Sequence, residues 1–175
     1  MLVQVSVQSL VFIGASETPV VILRERDGER VLPIWIGLTE AQAIGFELAD
    51  YKFPRPLTHD LLASVVSGLG GALRKVVISR VEESTYFAEM IIRRNGEVIS
   101  VDARPSDSIA VALRLEADIF AEEELLERAP FDIPEEPSFG EEPVLEGEPD
   151  SEMAAEELKD YLRKLAPEDF GRFTP

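Results

Sequence analysis

Residues 101–113 read VDARPSDSIAVAL, and the fold turns on how this stretch is parsed. An apolar strand end delivers Asp102 and Arg104 into a corner broken by Pro105. Proline fixes its own φ and moves the preceding residue out of the helical region, so the turn is sharp and reproducible. Ser106 or Asp107 is positioned to cap the N–H groups of the helix that follows. Ile109, Ala110, Val111, Ala112 and Leu113 leave that helix almost no polar face, which predicts a buried helix. Two carboxylates and a guanidinium at a strand-to-helix corner on a buried helix are a rigid place to build a site. A capped core helix with a structural ion pair accounts for the same residues.

Outward from this corner the chain alternates strands and helices. Residues 2–13 alternate Val3, Val5 and Val7 with Gln4, Ser6 and Gln8, the period of a strand. Pro19–Arg24 and Arg30–Ile36 flank Asp27-Gly28, a hairpin signal. Thr39 to Gln42 has capping-box form and leads into a helix through Ile44 and Leu48. The prolines of Tyr51–Pro56 predict an irregular connection. Thr58 is placed to cap a second helix, ended by Gly68, Gly70 and Gly71. Leu73–Val81, Tyr86–Arg93 and Glu97–Asp102 read as strands, the last two joined by Asn95-Gly96, the strongest turn signal in the chain. A short apolar piece at Ile119-Phe120 and an acidic helix over Glu122–Arg128 follow the buried helix. The expected fold is therefore α+β: one domain over 1–129, with a mainly antiparallel or mixed sheet packed by three or four helices. Residues 130–150 are rich in Pro, Glu and Gly and read as an acidic linker. Residues 151–175 form a tail whose Leu158, Tyr161, Leu162 and Leu165 mark an amphipathic helix. A lone helix of that length is marginal in water, so it is expected to dock on its own domain, on a twin subunit or on another protein.

Composition narrows the chemistry. The 175 residues contain no cysteine and one histidine, His59, which excludes disulfides, thiol nucleophiles, cysteine-ligated zinc and any site needing two imidazoles from one chain. No apolar run approaches the ~18 residues of a membrane span, and the N-terminus reads as a strand instead of a signal peptide. A cytoplasmic location is expected. The net charge of −17 is uneven. Sixteen acidic and 12 basic residues up to Ala121 leave −4, whereas 18 acidic and 5 basic residues after it leave −13. This balance disfavours a high-affinity nucleic-acid binder of the basic-patch kind, without excluding a local groove on the near-neutral part.

Three segments, LPIWIGLTEAQAI (32–44), RPLTHDLL (55–62) and VDARPSDSIAVALR (101–114), resemble in order and spacing the bifunctional nuclease domain family. The resemblance covers about residues 2–129, and LKDYLRKLAPEDFGRF (158–173) is similar to the short helical tail of some members. It implies combined DNase and RNase activity, a homodimer with a large groove, and DNA and RNA as substrates. By position it singles out Glu40, Arg55, Thr58, His59, Asp60, Asp102, Arg104 and Asp107.

Phosphodiester hydrolysis needs an activated water, stabilisation of charge at phosphorus and help for the leaving oxygen. Glu40, His59, Asp60, Arg104 and Asp107 are the catalytic candidates, with Arg55, Thr58 and Arg104 for substrate binding. Asp60, Asp102 and Asp107 are candidate ligands for Mg²⁺ or Mn²⁺; no organic cofactor is expected. An imidazole's ordinary pKa near neutrality makes His59 the natural acid or base, while a first-turn histidine on an exposed helix start is the plainer account. Arg104 suits a bidentate phosphate clamp, or equally a salt bridge to Asp102, Asp107 or Glu40. Glu40, His59-Asp60 and Asp107 each open a helix, and helix starts favour anions if they converge. Trp35 reads as a core or interface aromatic before a base-stacking one. A second class of function fits the −13 tail: a non-catalytic binding or regulatory module for an anion, a nucleotide or a protein partner. A third is hydrolysis of a small phosphorylated metabolite.

Overall fold

The computed structural model describes residues 1–13 and 18–128; the expected linker and terminal helix lie outside the described residues. Strands β1 (Leu2–Ile13), β2 (Thr18–Glu25) and β3 (Val31–Trp35) are followed by helices α1 (Leu38–Leu48) and α2 (Thr58–Gly68). Then come β4 (Ala72–Glu82), β5 (Thr85–Arg94), β6 (Glu97–Ala103), α3 (Pro105–Arg114), β7 (Asp118–Glu122) and α4 (Glu123–Arg128). The protein is α+β, as its sequence predicts. No helix among the described residues is long and apolar enough to cross a membrane.

The seven strands form one sheet in the order β3-β2-β1-β7-β4-β5-β6. Every neighbouring pair is antiparallel except β4 and β7, which run parallel. Two antiparallel three-stranded units are thus joined by β7, which pairs Leu2–Val5 of β1 on one side and Lys75–Ile78 of β4 on the other. The β5–β6 turn is the Asn95-Gly96 pair read from the sequence, both with positive φ (51° and 85°), the conformation of a type I′ hairpin. The β4–β5 turn uses the same left-handed geometry at Glu83 and Ser84 (φ 47° and 66°), at residue types that give no such signal.

α3 packs against β4, β5 and β7, and α1 and α2 both pack on α3. Ile109, Ala110 and Val111 are fully buried and Ala112 nearly so. They meet Val76 and Ile78 of β4, Ala88 and Met90 of β5, and Ile119 and Ala121 of β7 in one apolar cluster, which continues through Val21, Leu23, Leu32 and Ile34. Alternation supplies the sheet side of this core: Val76 and Ile78 point inward with period 2. Small alanines on α3 let the helix lie close to the sheet.

Every predicted N-cap lies one to three residues past the observed one. The N-caps of α1, α2 and α3 are Gly37, Leu57 and Arg104, so Thr39, Thr58, Ser106 and Asp107 all lie inside the first turn. In each case the preceding residue is already extended (ψ between 145° and 177°), and at α3 proline occupies N1, where its missing N–H costs nothing. Truncating Ile109 to alanine removes a side chain that the sheet cannot collapse onto. Urea denaturation of Ile109→Ala is expected to show a loss of about 3 kcal/mol with an unchanged slope.

Candidate functional site

The starts of α1, α2 and α3 meet around Arg104. Its Nε donates to Asp107 Oδ2 at 2.7 Å, and its Nη2 donates to Asp107 Oδ1 at 3.2 Å and to Glu40 Oε1 at 2.8 Å. His59 Nε2 lies 3.0 Å from the same Asp107 Oδ1. Glu40, His59, Arg104 and Asp107, drawn from three helices separated by up to 67 positions, therefore form one hydrogen-bonded cluster.

Electrostatics assign the proton between His59 and Asp107. Burial pushes the Asp107 carboxyl upward, but hydrogen bonds from Arg104 and His59 outweigh it and hold the group below its ordinary value. An ionised carboxylate only accepts, so Nε2 is the donor to Asp107 and Nδ1 lies outside that bond. Asp107, with Glu40 behind it, likewise raises the Arg104 pKa. Arg104 remains 66% exposed and its Nη1 takes part in none of these bonds. The site is thus a carboxylate-oriented imidazole beside a guanidinium with one edge open. Gly37 permits this arrangement, because a Cβ there would collide with the Glu40 carboxylate as it folds back toward Arg104.

Asp60 belongs to a different contact. Its carboxylate accepts from Arg114 Nε and from the Leu57 N–H, the latter at 2.7 Å. The Arg114 hydrogen bond, supported by the backbone N–H, holds its pKa below the usual range against burial. Arg114 is only 6% exposed and also donates to the Ala110 and Ala43 carbonyls at 2.9 and 3.2 Å, tying the last turn of α3 to α1 and α2. This arginine, absent from the sequence-derived candidates, is the counterpart of Arg104 at the far end of α3.

Asp102 does not join the cluster either. It sits exposed on β6 opposite Glu89. Arg55 and Thr58 are exposed, and neither makes a hydrogen bond to the cluster. The three expected metal ligands are placed apart: Asp60 is bonded to Arg114, Asp102 stands on β6, and Asp107 is bonded to Arg104 and His59. Among the described residues no group of three or more His, Asp or Glu side chains is arranged to hold an ion. The Arg104 guanidinium bridges the Glu40 and Asp107 carboxylates.

Beside Arg104 opens a groove of about 360 Å³. The end of β3 and the start of α1 (Ile34–Gly37), the β4–β5 turn (Ser84–Tyr86) and the start of α3 (Arg104–Ser106) line it. Trp35, expected in a core or a dimer interface, is 48% exposed in the single chain and lines this groove. Tyr51 and Phe53 pack with Phe46 in an aromatic trio, ring centroids 4.8 to 5.9 Å apart, on the other side, near Asp60 and Arg114.

The fold is an α+β domain whose three central helix starts share one hydrogen-bonded cluster. The chain matches the bifunctional nuclease domain over residues 21–134 and belongs to that family. It is 43% identical over 152 residues to the uncharacterized protein Rv1829 of Mycobacterium tuberculosis, covering 87% of this chain and 88% of that one. It is 28% identical over 103 residues to bifunctional nuclease 1 of Oryza sativa subsp. japonica (57% of this chain, 31% of the relative). With bifunctional nuclease 1 of Arabidopsis thaliana it shares 27% over 105 residues (58% and 32%). The match to the plant proteins thus covers about a third of their length.

Asp60→Asn leaves the buried Arg114 charge with only Glu47, 3.9 Å away. Chemical denaturation is expected to show a loss of about 2–3 kcal/mol. Asp60 and Asp107 both have folded pKa values below their unfolded ones. Their contribution is therefore complete above the ordinary carboxylate value of about 4 and is lost as pH falls through the folded value. Stability measured from pH 6 downward should fall below about pH 4, and less steeply in Asp60→Asn than in the wild type.

Proposed function

We propose that this domain hydrolyses phosphodiester bonds in nucleic acid, DNA and RNA alike, at the Glu40–His59–Arg104–Asp107 cluster. The observation that carries the reading is the convergence of three helix starts on an imidazole oriented by Asp107, beside the open edge of a guanidinium. Membership of the bifunctional nuclease domain family supports it, as do the plant relatives named bifunctional nucleases.

Arg104 Nη1 receives a non-bridging phosphate oxygen and offsets charge that grows at phosphorus. A water oxygen attacks phosphorus while His59 Nδ1 takes its proton. The P–O bond to the leaving sugar oxygen breaks, and the proton held by the imidazole passes to that oxygen, so the histidine returns to its starting form. Asp107 holds the ring in the tautomer that leaves Nδ1 basic and stabilises the imidazolium between the two transfers, as a carboxylate does for the histidine of hydrolytic triads. Glu40 positions Arg104. Among the described residues no group of three or more His, Asp or Glu side chains could hold an ion, and each step is assigned to the residues of the cluster.

Cleavage of labelled single- and double-stranded DNA and RNA tests this, with wild type and folded His59→Ala, Arg104→Ala and Asp107→Asn variants purified side by side. Loss of the base is expected to lower the rate by about 10²–10⁴-fold, and loss of Arg104 to act mainly on the chemical step. Activity should survive EDTA; a strict requirement for Mg²⁺ or Mn²⁺ would reinstate an ion bound by carboxylates. Equal cutting by all variants would overturn the site. No cutting by the wild type would make the domain a non-catalytic binding module.

A further inference from the structure

β6 forms one edge of the sheet, and its residues from Glu97 to Asp102 are all exposed. Its helix-facing side chains carry the core outward: Ala103 pairs with Ala88, Val101 with Met90 and Ile99 with Ile92. Met90 is 6% exposed and lies in the central cluster, whereas Val101 beside it is 37% exposed. The core thus runs off the edge of the sheet uncovered. α2 packs on the same face through Ala63, and a Cβ on Gly71 would touch both its Val66 and Ile92, the residue paired with Ile99. Leu61, Val65 and Leu69 repeat every fourth residue along α2 and its end, and all three are exposed. With Val98, Ile99 and Val101 they put six exposed large apolar side chains on two elements.

An edge strand is ordinarily blunted by lysine, proline, a bulge or a covering element. β6 reads EVISVDA, with neither lysine nor proline, and pairs with β5 without a register shift. Its sequence is instead complementary to itself. Antiparallel pairing about Ser100 sets Ile99 against Val101 of a second copy, twice over, on the helix-facing side. On the other side it sets Asp102 against Val98 of that copy, so no like charges meet across the new pair. Within one chain Asp102 stands opposite Glu89, and like charges directly opposite destabilise a sheet. The Ser100 hydroxyl donates to Glu89 at 2.6 Å, which adds no opposing charge. Val98 is paired with Arg93, so the two-fold lines up Glu89 and Asp102 of one copy with Val98 and Arg93 of the other. Each guanidinium then serves the acidic pair of its partner.

We infer that β6 and the exposed face of α2 form an isologous interface with a second copy of this chain, in which β6 pairs antiparallel with itself about Ser100 and the two seven-stranded sheets become one. The two-fold axis runs perpendicular to the sheet, so both α2 helices lie on one face of it, beside the paired strands. The match of β6 to itself in apolar and charged positions favours a second copy over a strand of an unrelated protein. The interface is independent of the proposed reaction, since no residue of β6 belongs to the cluster around Arg104.

The chain has no cysteine, so one introduced thiol reports the register. In full-length Ser100→Cys the two thiols face each other across strands whose opposite Cα atoms are about 4.5–5.5 Å apart, within reach of a disulfide. In Val98→Cys they are roughly 13 Å apart along the strands. Under mild oxidation the first is expected to become a covalent dimer and the second is not. Sedimentation of the wild type should show a dimer at micromolar concentration. Val65→Lys and Val101→Lys should each weaken it about tenfold or more, because each buries an unpaired ammonium at the contact, while unfolding at the same urea concentration as the wild type. Arg93→Asp should weaken the dimer too, and the double variant Arg93→Asp/Asp102→Arg should restore it. A wild type that stays monomeric throughout the micromolar range, a dimer indifferent to both lysine variants, or crosslinking of Val98→Cys as readily as Ser100→Cys would each overturn the interface.

Discussion

A helix that is apolar at four consecutive buried positions has nowhere along its length to place charge. α3 meets this constraint at its two ends. Arg104 and Arg114 stand at opposite termini, each bonded to a carboxylate from the first turn of another helix. Those two arginines fix where α1 and α2 start relative to the sheet. His59 and Asp60 are consecutive, yet one reaches Asp107 at the beginning of α3 and the other reaches Arg114 at its end, so the first turn of α2 must cross the middle of the buried helix. The cluster proposed to act on phosphate is thus inseparable from the packing that orients the helices. Arg104 Nη1 and His59 Nδ1 take no part in the hydrogen bonds that hold the cluster together.

Much of the fold was legible because its signals are local. Alternation gave β1, and Asn95-Gly96 placed the β5–β6 turn where positive φ angles require it. The apolar run at 109–113 gave a buried helix. What escaped was set by partners far along the chain. The β4–β5 turn adopts left-handed geometry at Glu83 and Ser84 because the pairing of Glu82 with Thr85 leaves only two residues to reverse direction. Capping residues were misplaced because Thr39, Thr58 and Ser106 carry the right chemistry for a cap, while the extended conformation falls on the residue before the helix whatever its side chain.

The site divides the same way. Glu40, His59, Arg104 and Asp107 could be named from the motifs, but their meeting is a tertiary fact with no sequence signal. Asp60 looked like a member because it neighbours His59; a helix turns about 100° per residue, and that rotation carries it to Arg114 instead. Arg114 was visible at the end of the third motif, and a guanidinium closing an otherwise apolar helix was the available hint that something buried must neutralise it.

The place of β7 also says something about how the domain comes into being. Strands are made in chain order, and the one that sits in the middle of the sheet is the last. Until residues 118–122 exist, the two antiparallel units have no strand between them, and β1 and β4 present unpaired edges, the condition under which sheets associate with the wrong neighbour. A nascent or prematurely terminated chain is therefore two open sheets, and closure waits for a five-residue strand that pairs with segments more than a hundred and about forty residues earlier. Such distant pairing makes for slow folding. It also means that the helix carrying Arg104 and Asp107 is synthesised before the strand that completes the surface it rests on.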